Sequence, residues 1–181
     1  RFFTDKYTLI PRPETELLVT EVLALSKQFK NPEIKADMSD IQLNALKTAQ
    51  KNAVFHKVSD RAGFIQSDLF TNIEKKYDII VSNPPYIPLK DKENLQLEVK
   101  QYEPSAALFA KDELGLEFYE KIITDAPRFL KNKGAIGFEL GIKQAEAVKN
   151  LLKNNGFSNI EIKKDFNSID RIITAFLPNK S

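Results

Sequence analysis

Apolar residues along this 181-residue chain alternate between helical spacing and short continuous runs, and that alternation predicts helices and strands in turn. Leu17, Leu18, Val22, Leu23 and Leu25 recur at helical spacing from Glu14 to about Lys27, after a proline and acidic residues suited to a helix N-terminus. Glu33 to Ala36 predicts a short strand, Ile41 to about Ala53 a helix, Gly63 to Gln66 a strand, and Tyr77 to Val81 a stronger strand. After a long segment from Ile87 to Glu113 the pattern resumes with a helix from about Leu116 to Leu130, where Pro127 is placed to kink it. A strand at Ala135 to Glu139, a helix from Lys143 to Lys153 and closing strands at Ile160 to Lys163 and Arg171 to Phe176 complete the chain. Such alternation argues for an α/β fold, a mostly parallel sheet with helices on both faces.

Composition narrows the class. At 42% hydrophobic and 29% charged, the chain is long enough for one well-buried domain and too short for two. Its 27 basic and 25 acidic residues are scattered and leave a net charge of only +2, so no concentrated basic face points to nucleic acid as a partner. The chain has no cysteine, which excludes disulfides, thiol nucleophiles and cysteine-held metals, and its one histidine excludes a multi-histidine metal site. No metal is expected. His56 itself lies between a helix and a strand, near Lys57 and Asp60, and reads as a solvated loop residue. No apolar stretch approaches bilayer length and Arg1 to Asp5 form no signal-peptide core, so a cytoplasmic protein without membrane contact is expected.

The chemistry concentrates in Asn83-Pro84-Pro85-Tyr86, directly after the predicted strand at Tyr77 to Val81. Open α/β sheets place ligands at strand ends, and two prolines stiffen such a turn and remove two backbone donors, leaving acceptors. The Asn83 side-chain oxygen and the Pro84 carbonyl are then placed to accept both hydrogens of a substrate –NH2, with Pro85 fixing the turn and the Tyr86 ring covering the flat face of the group. The bland alternative is an ordinary proline turn. Asp37 follows the first predicted strand, where nucleotide-binding α/β domains set an acid against ribose hydroxyls; helix capping is its alternative role, open equally to Ser39 and Asp40. Asp68 and Leu69 follow the next strand at the same sheet edge, with a turn aspartate as the alternative, and Phe70 reads as core.

Leu9-Ile10-Pro11-Arg12-Pro13-Glu14-Thr15-Glu16, taken with Ser82-Asn83-Pro84-Pro85-Tyr86-Ile87-Pro88, resembles the HemK/PrmC family, which methylates the glutamine side chain of peptide-chain release factors. The likeness continues through Gln66 to Phe70, Tyr102-Glu103-Pro104, Gly115 to Tyr119, Gln144 to Val148 and Asp170-Arg171, and spans nearly the whole chain. The resemblance implies a Rossmann-like class I methyltransferase using S-adenosyl-L-methionine, with seven strands of which the last is antiparallel. It implies that Asp37 binds the cofactor ribose, that Asp68 and Leu69 read its adenine, and that Asn83 faces both cofactor and substrate. Asn83, Pro84 and Tyr86 would be catalytic, and Arg12 and Thr15 would join Asn83, Pro84, Pro85 and Tyr86 in the substrate pocket, although a proline followed by acids also begins many ordinary helices. The implied partner is the Gly-Gly-Gln loop of a release factor.

Two departures from the family stand out. The pattern supplies six strands, because Lys27-Gln28-Phe29-Lys30-Asn31-Pro32 runs straight into the next strand where the family has its central first strand and an Asp-x-Gly-x-Gly-x-Gly loop. A central parallel strand is buried on both faces and bonded on both sides, so its loss splits a sheet. Either about thirty residues, the length of one strand-turn-helix unit, belong at this junction in the complete protein, or the domain is a non-catalytic remnant that only binds a partner. The second departure is that no small helical domain for gripping the release factor precedes the first motif, so residues 1–181 are expected to be the catalytic domain alone. The acceptor geometry would serve an adenine N6 amine equally well. A DNA methyltransferase is therefore the alternative enzyme, disfavoured because a flipped base needs a duplex-binding surface.

Overall fold

The computed structural model describes residues 1–29, 33–95, 99 and 103–179. Two predicted features touch residues outside these: the junction at 30–32 and Tyr102 of one motif. The first helix, α1, runs Pro13–Ser26, with proline in its first turn where the missing N–H costs nothing. β1 (Ala36–Asp40), α2 (Leu43–Phe55) and β2 (Ala62–Gln66) follow, β1 and β2 pairing in parallel from Ala36 against Ala62 to Asp40 against Gln66. β3 (Tyr77–Ser82) begins the second sheet. A pair of two-residue strands, β4 (Ile87–Pro88) and β5 (Phe109–Ala110), lies in the long segment, too short for any periodicity to reveal. α3 (Glu117–Phe129), β6 (Leu130–Glu139), α4 (Ala145–Asn154), β7 (Ser158–Lys164) and β8 (Asp170–Phe176) close the chain.

The second sheet has the order β3-β6-β8-β7, with β3 parallel to β6 and β8 antiparallel to both its neighbours. Alternation along β6 sorts its faces. Ile136 and Phe138 join Ile173 and Ala175 of β8 in a core with Tyr119 and Ile123 of α3 and Val148 and Leu152 of α4. Tyr119 and Phe138 meet edge to face at 5.4 Å, a favoured aromatic geometry. On the other face Gly137 admits α1: a Cβ there would stand 3.6 Å from Leu18 Cδ1. Helices therefore cover both faces of the sheet, the α/β arrangement expected from the sequence.

Two boundaries differ from the sequence pattern for physical reasons. The first strand is Ala36–Asp40 rather than Glu33 to Ala36, so Asp37 lies inside the strand and not beyond its end. Asp37, Ser39 and Asp40 are poor strand formers, and the five-residue ladder with β2 overrides their propensity. β6 starts at Leu130, directly after α3, and its register with β3 jumps from Tyr77–Leu130 to Ile79–Ala135 across a bulge in which Lys133 has φ 61°. Pro127 lies in the last turn of α3 and precedes its end rather than kinking its middle.

Among the described residues the two sheets do not join, the consequence expected of an absent central strand. Side chains hold the seam instead. The Tyr77 hydroxyl at the start of β3 donates to Asp37 Oδ2 at 2.9 Å, and the Lys75 ammonium donates to the same oxygen at 3.0 Å. Past β2, Phe70 stacks on Phe129 of α3 at 4.6 Å, which makes Phe70 a core residue. Val81 of β3, Ile41 between β1 and α2, and Leu43 at the start of α2 stay exposed.

A β1–β2 pair held by a few side chains should open at lower free energy than the sheet around β6. Amide hydrogen exchange read by mass spectrometry is expected to show β1 and β2 exchanging well before β6 and β8. Equal protection of both sheets would mean that the seam is as strong as the ladders.

Candidate active site

Parallel pairing of β3 with β6 puts both carboxyl ends on one edge of the sheet, and the Ser82–Phe138 register makes Asn83 and Glu139 neighbours there. The first turn of α1 comes over the same edge. Asn83 Nδ2 donates to Thr15 Oγ1 at 3.3 Å, and the Thr15 hydroxyl donates to Glu139 Oε2 at 2.6 Å. The Tyr86 hydroxyl donates to the other carboxylate oxygen, Oε1, at 3.1 Å. Glu139 is 1% exposed, and its backbone carbonyl accepts a 2.8 Å bond from the Tyr119 hydroxyl of α3. Burial first, and then the Glu139 charge, push the Tyr86 phenol up to about 12, so it remains a donor throughout the neutral range.

The proline turn is clamped from behind. Gln144, just before α4, donates through Nε2 to the carbonyls of Tyr86 at 3.0 Å and Leu114 at 2.8 Å, while its Oε1 accepts from the Gly141 amide at 3.0 Å. Close approach demands glycine at 115, where φ is +73° and a Cβ would fall 2.0 Å from the Tyr86 carbonyl oxygen. Asp112 holds the loop leading to Gly115 by accepting the amides of Leu114, Leu116 and Glu117, which depresses its carboxyl pKa against the opposing effect of burial. Arg12 donates to both oxygens of Glu103 at 2.9 and 3.0 Å, tying the start of α1 to the far end of the long segment. Pro84 is buried, Asn83 and Pro85 are half-buried, and among the described residues no hydrogen bond reaches Asn83 Oδ1 or the Pro84 carbonyl. The turn thus offers acceptors at a strand end.

The structure brings Thr15, Asn83 and Tyr86 into one hydrogen-bonded group and sets Arg12 beside it, its charge within reach of both Tyr86 and Glu139. Asp68 is exposed just beyond the carboxyl end of β2. Leu69 follows with φ 48° and packs against the core, its carbonyl accepting from the Ser67 hydroxyl at 2.9 Å. Asp37 is set apart from these, three residues short of the end of β1, with Oδ2 taken by Lys75 and Tyr77. Its Oδ1 lies over Gly63, where a Cβ would come within 2.1 Å, so any larger residue at 63 would displace this carboxylate. Glu139 was not singled out from the sequence, and Glu103 and Gln144 stood there only within motifs of the resemblance, without a role of their own. Glu139 reads there as the polar end of an apolar strand, and a lone acid after Ala135-Ile136-Gly137-Phe138 is the only signal that marked it. Among the described residues no group of three or more histidines or acids is arranged to hold a metal, and no helix is long and apolar enough to cross a membrane.

Residues 20–101 match the methyltransferase small domain family. The chain is 37% identical over 197 residues to a release factor glutamine methyltransferase of Fusobacterium nucleatum, covering 96% of this chain and 55% of that protein. It is 36% identical over 200 residues to a release factor glutamine methyltransferase of Clostridium acetobutylicum, covering 96% of this chain and 69% of the relative. Both matched spans exceed the 181 residues of this chain, so these relatives carry internal residues that it lacks. The protein-(glutamine-N5) methyltransferase of Alicyclobacillus acidocaldarius has a similar fold, with a TM-score of 0.54 and 24% identity over 93% of this chain and 94% of that one.

The pairing of Asp37 has a pH signature. Hydrogen bonds from Lys75 first and Tyr77 second hold its carboxyl below the usual range. A depressed folded pKa contributes stability that is present above the unfolded value of about 3.9 and is lost as pH falls through the folded value. Asp37→Asn removes that contribution, so its urea midpoint should fall less steeply than that of the wild type as pH drops from about 5 to about 3. Identical slopes would show that the Asp37 contacts carry no stability.

Proposed function

The chain belongs to the release factor glutamine methyltransferase family, and from that membership we propose that it methylates the side-chain nitrogen of the glutamine in the Gly-Gly-Gln loop of a peptide-chain release factor. Residues 1–181 would act as the catalytic domain, in the cytoplasm, with the release factor as partner. The observation that carries this reading is the Asn83 turn at a strand end, where among the described residues Asn83 Oδ1 and the Pro84 carbonyl accept no hydrogen bond while the Asn83 amide nitrogen donates to Thr15. An amide nitrogen is a poor nucleophile because its lone pair is delocalised into the carbonyl. Asn83 Oδ1 and the Pro84 carbonyl, each taking one N–H out of the amide plane, favour a pyramidal nitrogen with its lone pair directed at the incoming methyl. Positive charge grows on that nitrogen during transfer, so neutral acceptors stabilise the transition state more than the ground state. The Tyr86 ring, with its hydroxyl anchored on Glu139, is fixed beside the turn to cover the flat face of the amide. No strong base is needed, since the methylated nitrogen is acidic enough to lose its proton to water.

S-adenosyl-L-methionine, when bound, supplies the electrophilic sulfonium methyl. The acceptors at the sheet edge suit a ligand rich in hydroxyl and amine donors: Asp68 and Leu69 beyond β2 and Asn83 beyond β3 would hold it, with Asn83 shared between cofactor and substrate. Asp37 would join them at the ribose on giving up Lys75 and Tyr77. The seam between the two sheets favours a second reading, a cofactor-free remnant that binds a partner without chemistry. Titration calorimetry with the cofactor separates the two, because the remnant takes up none.

With the protein at its full natural length, labelled methyl from the cofactor is expected on the loop glutamine of a release factor and absent from adenine-containing duplex. Asn83→Ala should lower single-turnover rates by roughly 10²–10³-fold while cofactor affinity changes far less. A near-normal rate in that variant would reduce the turn to a structural role, and label in DNA alone would transfer the reading to an adenine methyltransferase.

A further inference from the structure

The relay behind Asn83 has a direction. Both oxygens of Glu139 accept, Oε2 from the Thr15 hydroxyl and Oε1 from the Tyr86 hydroxyl. The Thr15 hydroxyl, 2.6 Å from Oε2, must therefore spend its single proton on Glu139, which leaves Thr15 Oγ1 with lone pairs alone for its other neighbour. That neighbour is Asn83 Nδ2, at 3.3 Å. Turned over, the Asn83 amide would set oxygen against oxygen with no proton between them. A side-chain amide has two nearly isosteric orientations, and this chain of acceptors permits one of them.

We propose that Glu139 is a positioning residue which, acting through Thr15, fixes the orientation of the Asn83 amide so that its oxygen, and not its NH2, faces the substrate. This deepens the function proposed above and rests on it. The arrangement selects an –NH2 donor as substrate and rejects a carbonyl or carboxylate in the same place, which separates glutamine from glutamate at that position. The second oxygen of Glu139, bonded to the Tyr86 hydroxyl at 3.1 Å, holds the carboxylate in the plane that Thr15 requires.

Glu139→Gln tests the direction, because it keeps the shape and supplies a donor. The new amide can donate to Thr15, whose proton then turns to Asn83 and stabilises the reversed orientation. Glu139→Gln should lower kcat by about tenfold or more, with KM for the release factor and the thermal midpoint little changed. Thr15→Val should fall similarly, and Thr15→Ser, which keeps the hydroxyl, should recover most of that loss. In the Thr15→Val background Glu139→Gln should cost nothing further, the non-additivity of residues acting in series. Independently of activity, the Asn83 side-chain NH2 signals, assigned by their disappearance in Asn83→Asp, should exchange slowly in the wild type and quickly in Thr15→Val. Equal exchange in wild type and Thr15→Val, or additive losses in the double variant, would overturn the relay. Absence of methyl transfer by the wild type would overturn the proposed function instead, and the exchange comparison would still decide the relay.

Discussion

A carboxylate buried at the end of a sheet strand is tolerable only if hydrogen bonds replace its water, and the Glu139 side chain is in that position. Thr15 from α1 and Tyr86 from the proline turn satisfy its two oxygens, and Tyr119 from α3 binds its carbonyl. Elements from both faces of the sheet and the loop over its edge therefore converge on one residue. The first turn of α1, the Tyr86 hydroxyl and, through Thr15, the Asn83 amide are all tied to this one group. A buried network of this kind is costly when half-satisfied, and among the described residues no buried side-chain nitrogen or oxygen lacks a partner.

The weak point of the architecture is the seam between β1–β2 and the four-stranded sheet. Backbone ladders on either side of it are cooperative, whereas the contacts across it are side-chain pairs in part open to solvent. Asp37 shows the consequence. The same carboxylate that serves as the candidate ribose acid is the group that Lys75 and Tyr77 use to bridge the seam. The contact across the seam thus rests on one oxygen of that carboxylate, and a central strand between β1 and β3 would relieve it of the structural duty.

Topology accounts for the meeting of Asn83 and Glu139 at one edge. Parallel strands end together, so the residue just past β3 and the last residue of β6 share a rim although more than fifty positions of sequence separate them. Among the described residues the groups there that accept no hydrogen bond are the Asn83 amide oxygen and the Pro84 carbonyl. That composition fits a donor-rich ligand and a substrate whose reacting atom is an NH2 nitrogen.

The sequence by itself determined the order and type of the main elements, because periods of 3.6 and of short apolar runs report which face of each element is buried. It also marked Asn83-Pro84-Pro85-Tyr86 as an acceptor turn, since prolines remove donors wherever they stand. Asp37 was legible as a candidate but misplaced by three residues, because strand limits in Ala36–Asp40 come from pairing with β2 and not from the propensities of aspartate and serine. Glu139 was not legible at all. In the sequence it is one acid closing an apolar strand, and only the parallel register with β3 and the descent of α1 onto that edge turn it into the acceptor that sets the site, because a hydrogen bond between positions 15 and 139 has no local signature.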